Sequence, residues 1–166
     1  MGEFRTVFGS MKDFQKGSLE IINDNPKYYT FSNIFDVANS SAPYEKVAVA
    51  KNLEYVIEAI RAEGVSPWFA CSHDEYVWLL DGEVRIDLVQ LDKPERLLQP
   101  DGEGTVRLEG APSGAKMGWI LLGRGHQALL PKGSAYRFTA ERPGAMIQQT
   151  IQGPLTVEKW AEICEC

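Results

Sequence analysis

The chain has 166 residues, of which 44% are hydrophobic, enough for one packed core and too few for two full-sized domains. Seventeen Lys and Arg against 23 Asp and Glu give a net charge of −6, without the basic footprint that a nucleic-acid backbone or an anionic membrane surface calls for. Apolar runs such as Trp119 to Leu122 fall far below the ~20 residues that span a bilayer, and no basic flank precedes an apolar stretch near residue 1, so a cytoplasmic protein with neither nucleic acid nor membrane as partner is expected.

Fifteen glycines and nine prolines favour many turns over long helices, and the expected class is β-rich. Residues 1–43 form an aromatic arm. Within it Phe4, Val7, Phe8 and Met11 recur at helical spacing, weakened by Gly9 and Ser10. Phe4, Phe8, Phe14, Tyr28, Tyr29, Phe31, Phe35 and Tyr44 crowd the first 44 positions. So many aromatics need a cover, either this chain's own core or another subunit, and an interface is expected.

From Tyr44 to Thr150 the texture is one of short strands. Val47 and Val49 alternate with Ala48 and Ala50, and Val84, Ile86 and Leu88 alternate with Arg85 and Asp87, the period of two of half-buried strands. Leu53, Val56, Ile57 and Ile60 have helical spacing, but their β-branched content and the following Gly64-Val65-Ser66-Pro67 favour a strand. Asp92 to Gly118, rich in proline and glycine, reads as a long excursion between strand groups. A closing helix is expected near the C-terminus, with Thr156 as its cap, Glu158 in its first turn and Val157, Trp160, Ala161 and Cys164 as its apolar stripe. Cys71, Cys164 and Cys166 form neither an even disulfide framework nor a metal knuckle, and are expected as free thiols.

Two stretches resemble the motifs of the cupin family. The first motif, G-x5-H-x-H-x3,4-E-x6-G, is matched where Glu75 is followed by six residues and then Gly82; the second, G-x5-P-x-G-x2-H-x3-N, is matched by Gly125, Pro131 and Gly133. Such spacing suits the tight corners that return one barrel strand to the next. The resemblance implies an all-β double-stranded β-helix, or jelly-roll barrel, over residues 44–166 with its C-terminal helix.

The departures bear on chemistry. The first motif's two histidine positions hold Phe69 and Cys71 in one register, or Trp68 and Ala70 in the other. The second motif's histidine is Tyr136, and Ala140 replaces its asparagine. Of the family's ligands only Glu75 remains, and a lone carboxylate cannot build the two-imidazole, one-carboxylate site of a non-haem Fe(II) oxygenase. His73, two residues before Glu75, would share its strand face and offers either a displaced ligand or a structural hydrogen bond. His126 sits beside the Gly125 corner, away from the second-motif ligand position. Tyr136 is a weak ferrous ligand, better read as core, and Cys71 is better read as buried. With Glu75 facing inward, Val77 and Leu79 share its face, and Tyr76 and Trp78 point out of the barrel, as interface anchors do.

The aromatic arm, the stretch Tyr44-Glu-Lys-Val-Ala-Val-Ala, the stretch from Ser72 to Glu83 and the closing helix around Trp160 together resemble the small subunit of two-component hydroquinone 1,2-dioxygenases. That resemblance implies no catalytic residue and no metal ligand in this chain. Fe(II) would belong to a larger cupin-like subunit, two of each would assemble, and a small phenolic substrate would be opened by O2. Trp78 and Tyr76 would touch the substrate. Two other functions remain open: a stand-alone metal-binding cupin using His73 and Glu75, and a non-catalytic cupin that binds a small ligand.

Overall fold

The structure, a computed structural model, describes residues 9–25, 31–99 and 102–164. The period-two pattern becomes strands β1 (Lys46–Asn52), β2 (Tyr55–Val65), β3 (Phe69–Ala70), β4 (Glu75–Asp81) and β5 (Glu83–Leu91), then β6 (Val106–Arg107), β7 (Gly114–Gly123), β8 (Gln127–Leu130), β9 (Ser134–Ile151) and β10 (Thr156–Val157). Two helices accompany them, α1 (Ile34–Ser40) and α2 (Trp160–Ile163).

The strands form one sheet that curls over on itself. Its hinge is β9, 18 residues long. The first half of β9 pairs with β3 and β5, and β5 continues to β7; the second half pairs with β2 and β4, and these continue to β1 and β8. β9 turns from one layer to the other at Gly144, where an added Cβ would lie 2.6 Å from the Asp81 carbonyl oxygen. Against it sits Gly82, at φ +89°, the corner between β4 and β5. Both positions need glycine, one for space and one for its backbone angle. The first-motif glycine is thus a structural corner.

Between the layers lie Ile60, Val77, Leu79, Val84, Ile86, Leu122, Leu130, Phe138 and Met146, all at most 1% exposed. Burying each large aliphatic side chain contributes about 1.5–3 kcal/mol. A second cluster of Ala70, Leu91, Leu98, Leu108 and Ala135 fastens the 92–113 segment across one end of the barrel. That excursion ends at Gly114 rather than Gly118, because Gly114 and Ala115 already pair with Leu91 and Gln90 of β5.

The helical spacing of Leu53 to Ile60 gives way to strand: β2 lies between β1 and β9, and pairing on both edges outweighs a local preference. The closing helix is the opposite case. Thr156 does not cap it. Thr156 and Val157 instead pair in parallel with Lys46 and Val47, leaving α2 only four residues, preceded by Lys159. α1 escaped the sequence reading; its signal is Asn33, whose Oδ1 accepts from the Phe35 N–H at 2.9 Å, followed by Ile34, Val37 and Ala38. Val37 then packs on Val47, Val49 and Ala59, with Ile163 of α2 beside them.

Phe4, Val7, Phe8, Tyr28, Tyr29 and Cys166 lie outside the described residues. Within the described part of the arm, Met11 and α1 are held by this chain's own barrel. Met11 is buried against Ala38, Ala145 and Phe35, its N–H donates to Asp81 Oδ2 at 2.8 Å, and Asn39 Nδ2 donates to its carbonyl at 2.9 Å. Met11 lies in a bend, not a helix. Among the described residues no helix is long and apolar enough to cross a membrane.

Candidate functional site

The barrel interior at the cupin motifs is polar and closed. Phe69 and Cys71 face inward, whereas Trp68 lies under the Arg137 guanidinium, 4.7 Å from its ring centre, and Ala70 packs beneath the excursion, so the shorter motif register is the one built. Cys71, His73 and Glu75 follow at every second residue, and their donor atoms come within 4.8 Å of one another. Tyr136 enters from β9, opposite.

Glu75 is fully buried, and both its oxygens are taken. Thr105 Oγ1 donates to Oε1 at 2.6 Å, and Tyr136 Oη donates to Oε2 at 2.5 Å. Burial first, and the neighbouring Glu75 charge second, raise the Tyr136 phenol well above its ordinary value, so it stays a donor at neutral pH. The same two causes push the Cys71 thiol up to about 12, and its S–H donates to the Gly104 carbonyl at 3.1 Å. His73 Nε2 accepts the Ile151 N–H at 3.2 Å and lies 3.0 Å from the Thr150 hydroxyl; this assigns the ring proton to Nδ1, which faces Cys71 Sγ at 3.0 Å.

The network continues inward. Gln148 Nε2 donates to Tyr136 Oη at 3.0 Å, and Gln148 Oε1 accepts from Lys46 Nζ at 2.7 Å. The Lys46 ammonium, with 2% of its side chain exposed, lies 3.5 Å from Glu58 Oε2 and 5.1 Å from the Phe69 ring centre. Thr156 Oγ1 donates to Glu58 Oε1 at 2.7 Å. Lys46, Glu58, Thr105 and Gln148 went unread in the sequence. A polar residue at a strand's inward position, such as Glu58 between Ile57 and Ala59, is the one signal that could have found them.

These residues do not fit the metal ion of the cupin family. Cys71 Sγ and His73 Nδ1 stand at 3.0 Å, a hydrogen-bonded contact, and the Cys71 S–H is spent on the Gly104 carbonyl. Each donor atom already has a protein partner, and an ammonium occupies the interior beyond them.

On the outer face of β4 the arrangement is different. Tyr76 is 44% exposed and Trp78 half-buried, their rings stacked at 6.0 Å, with Leu129 exposed beside them on β8. Neither the Trp78 indole N–H nor the Tyr76 hydroxyl has a hydrogen-bond partner among the described residues. Gln127 and Ile147 flank Trp78 on the adjoining strands. The patch is apolar and its two polar donors are unspent among the described residues. His126 is not part of it; its Nδ1 accepts the Gly123 N–H in an exposed turn.

No protein-family model matches the chain, and no curated protein does. Solved structures do. A chain of hydroquinone 1,2-dioxygenase from Sphingomonas sp. TTNP3, with 4-hydroxybenzoate bound, is 54% identical, covers 98% of both chains and has a TM-score of 0.95. A second hydroquinone 1,2-dioxygenase, in complex with Cd2+ and 4-hydroxybenzonitrile, has a chain 55% identical over 99% of this chain and 98% of its own, with a TM-score of 0.93. Two likenesses concern the fold alone. A longer chain of a hydroquinone 1,2-dioxygenase with Fe3+ matches 84% of this chain over 38% of its length, at 10% identity and a TM-score of 0.62. A cupin-2 domain protein from Shewanella frigidimarina NCIMB 400 matches 70% of this chain and 89% of its own, at 14% identity and a TM-score of 0.50.

Proposed function

The chain belongs to the hydroquinone 1,2-dioxygenase family, and we propose that it is the small, non-metal-binding subunit of such an enzyme, assembled two-and-two in the cytoplasm with a larger subunit that carries Fe(II). The reaction inserts both atoms of O2 into hydroquinone and opens the ring beside a hydroxyl, giving 4-hydroxymuconic semialdehyde. Iron chemistry would belong wholly to the larger subunit. This chain would support that subunit, exclude water and lend the outer face of β4 to the substrate pocket, with Trp78 donating its N–H to a phenolic oxygen and Tyr76 stacked beneath it.

One observation carries this reading: a full-length match to hydroquinone dioxygenase chains coincides with a barrel whose ligand positions are filled by Phe69, Cys71, a doubly hydrogen-bonded Glu75 and Tyr136. That a structure of a hydroquinone 1,2-dioxygenase also holds a longer chain of similar fold supports a larger partner subunit. The aromatic arm, residues 1–43, would add to the interface.

The test is to purify this chain alone and together with the larger subunit, then measure iron by elemental analysis and hydroquinone cleavage by product absorbance. Alone it should hold no stoichiometric iron and cleave nothing; together the two should co-elute, bind iron and turn over. A lone chain that binds one iron, lost on His73→Ala or Glu75→Ala, would establish the stand-alone metal-binding cupin instead. A lone chain that ignores the larger subunit yet binds phenols would establish the ligand-binding cupin.

A further inference from the structure

Two carboxylates, Glu58 and Glu75, are fully buried inside one small barrel. Burying a charge is costly unless a partner of opposite sign is buried with it. In a metal-loaded barrel of this kind the ion supplies that positive charge. Here the only cation in the network among the described residues is the ammonium of Lys46, which pairs with Glu58 Oε2 at 3.5 Å and donates to Gln148 Oε1 at 2.7 Å.

Its place within the motif positions is specific. Lys46 Nζ stands over the ring of Phe69, where the first motif's histidine would be. It reaches Tyr136, where the second motif's histidine would be, through the single side chain of Gln148, and Tyr136 in turn donates to Glu75. Phe69, Tyr136 and Glu75 therefore face, or are linked to, one ammonium. The backbone explains how it gets there: Glu58 and Gln148 are cross-strand partners on β2 and β9, and Lys46 is fixed at the start of β1 by the parallel pairing with Thr156. The Thr156 hydroxyl then completes the shell of Glu58. Among the described residues Glu58 Oε2 has no hydrogen-bond donor, so its compensation there is the ammonium.

We propose that Lys46 is this barrel's built-in replacement for a metal ion: its ammonium supplies the interior positive charge and thereby closes the chain to divalent cations. The proposal rests on the metal-free reading above and adds a cause to it. A divalent ion placed beside Glu58 or Gln148 would meet the ammonium that these side chains already hold at 3.5 and 2.7 Å, in a poorly screened interior. Within a two-subunit oxygenase this makes Lys46 a specificity residue for metal placement, since a small subunit with its cation already in place does not compete for iron.

The full chain is compared as wild type, Lys46→Ala and the neutral pair Lys46→Met with Glu58→Gln, each with EDTA, Mn(II) or Zn(II), by thermal unfolding and by metal content after gel filtration. The wild type should ignore all three additions. Lys46→Ala, which strands a buried carboxylate, should melt about 10 °C lower and should recover on adding Mn(II) or Zn(II), with metal retained, as Glu58 and Gln148 acquire a new cation. The neutral pair should melt above Lys46→Ala and remain indifferent to metal. A folded Lys46→Ala that keeps its stability, or that takes up no metal, overturns the proposal, as does a neutral pair no more stable than Lys46→Ala. If Lys46→Ala does not fold, the neutral pair decides: a folded, metal-indifferent protein supports the assignment and an unfolded one overturns it. Stoichiometric metal on the wild type would instead sink the metal-free reading, a result the other arms cannot produce.

Discussion

Replacing Tyr136 by phenylalanine removes one oxygen from the centre of the barrel and little else. The remaining phenyl ring would keep the contacts with Phe69 and Phe138, whose centroids lie 5.9 and 5.3 Å from that of Tyr136. The loss is confined to two hydrogen bonds. Glu75 Oε2 loses its donor at 2.5 Å, and Gln148 Nε2 loses its acceptor at 3.0 Å, keeping only a long contact to Thr105 at 3.4 Å. A hydrogen bond to a charged group is worth about 1.5–3 kcal/mol, and leaving the neutral amide partly unpaired adds about 1 kcal/mol. The expected cost of Tyr136→Phe is therefore about 2.5–4 kcal/mol, which for a domain of this size lowers Tm by roughly 5–16 °C. Thermal or urea unfolding of the isolated chain measures it, with metal content determined on the same samples. A loss below about 0.5 kcal/mol, less than one ordinary hydrogen bond, would refute the network as a structural element. A variant that gained stoichiometric metal once Oε2 was freed would show that Tyr136, and not the whole arrangement, keeps metal out.

Trp78→Phe should leave assembly and iron content unchanged while raising KM for hydroquinone about 2- to 13-fold, the loss of one neutral hydrogen bond of ~0.5–1.5 kcal/mol; unchanged steady-state kinetics would return Trp78 to a packing role. Native alkylation at pH 8 should spare Cys71, whose thiol burial pushes up to about 12, and modify the half-buried Cys164; peptide mass spectrometry showing Cys71 labelled in the folded chain would contradict this. Burial opposes ionisation of Asp81, but the Met11 N–H and the Arg124 guanidinium outweigh it and hold the carboxyl below its ordinary 3.8. A carboxylate depressed in the folded state stabilises above its unfolded value and loses that contribution as pH falls through the folded one. The hold of Asp81 on the arm should thus be complete at neutral pH and fade below pH ~4, with Asp81→Asn removing that pH dependence; limited proteolysis of the arm by pepsin against pH follows it.

Much of the barrel is a local matter and was legible in the sequence. Alternation over 84–88 sets which side chains enter the core, and the same period places Glu75, Val77 and Leu79 inward and Tyr76 and Trp78 outward, as found. Glycine at 82 is read equally directly, since few other residues tolerate φ +89°. The absence of histidine at the motif positions was visible too, but not how the barrel's buried carboxylates are compensated. Glu75 is satisfied by Thr105 from an excursion 30 residues away and by Tyr136 from 61 residues away, and Lys46 meets Gln148 across 102 residues. No periodicity encodes such pairings; they exist because β9 runs through both layers and brings β1, β2 and β4 to one interior. The competition at Thr156 has the same origin: its local pattern reads as a helix cap, and only the open edge of β1, present once the sheet has formed, makes it a strand. Residue by residue, the sequence determined which way each strand faces, and the tertiary structure decided which buried charges meet, because facing is a property of neighbours along the chain and charge compensation is a property of neighbours in space.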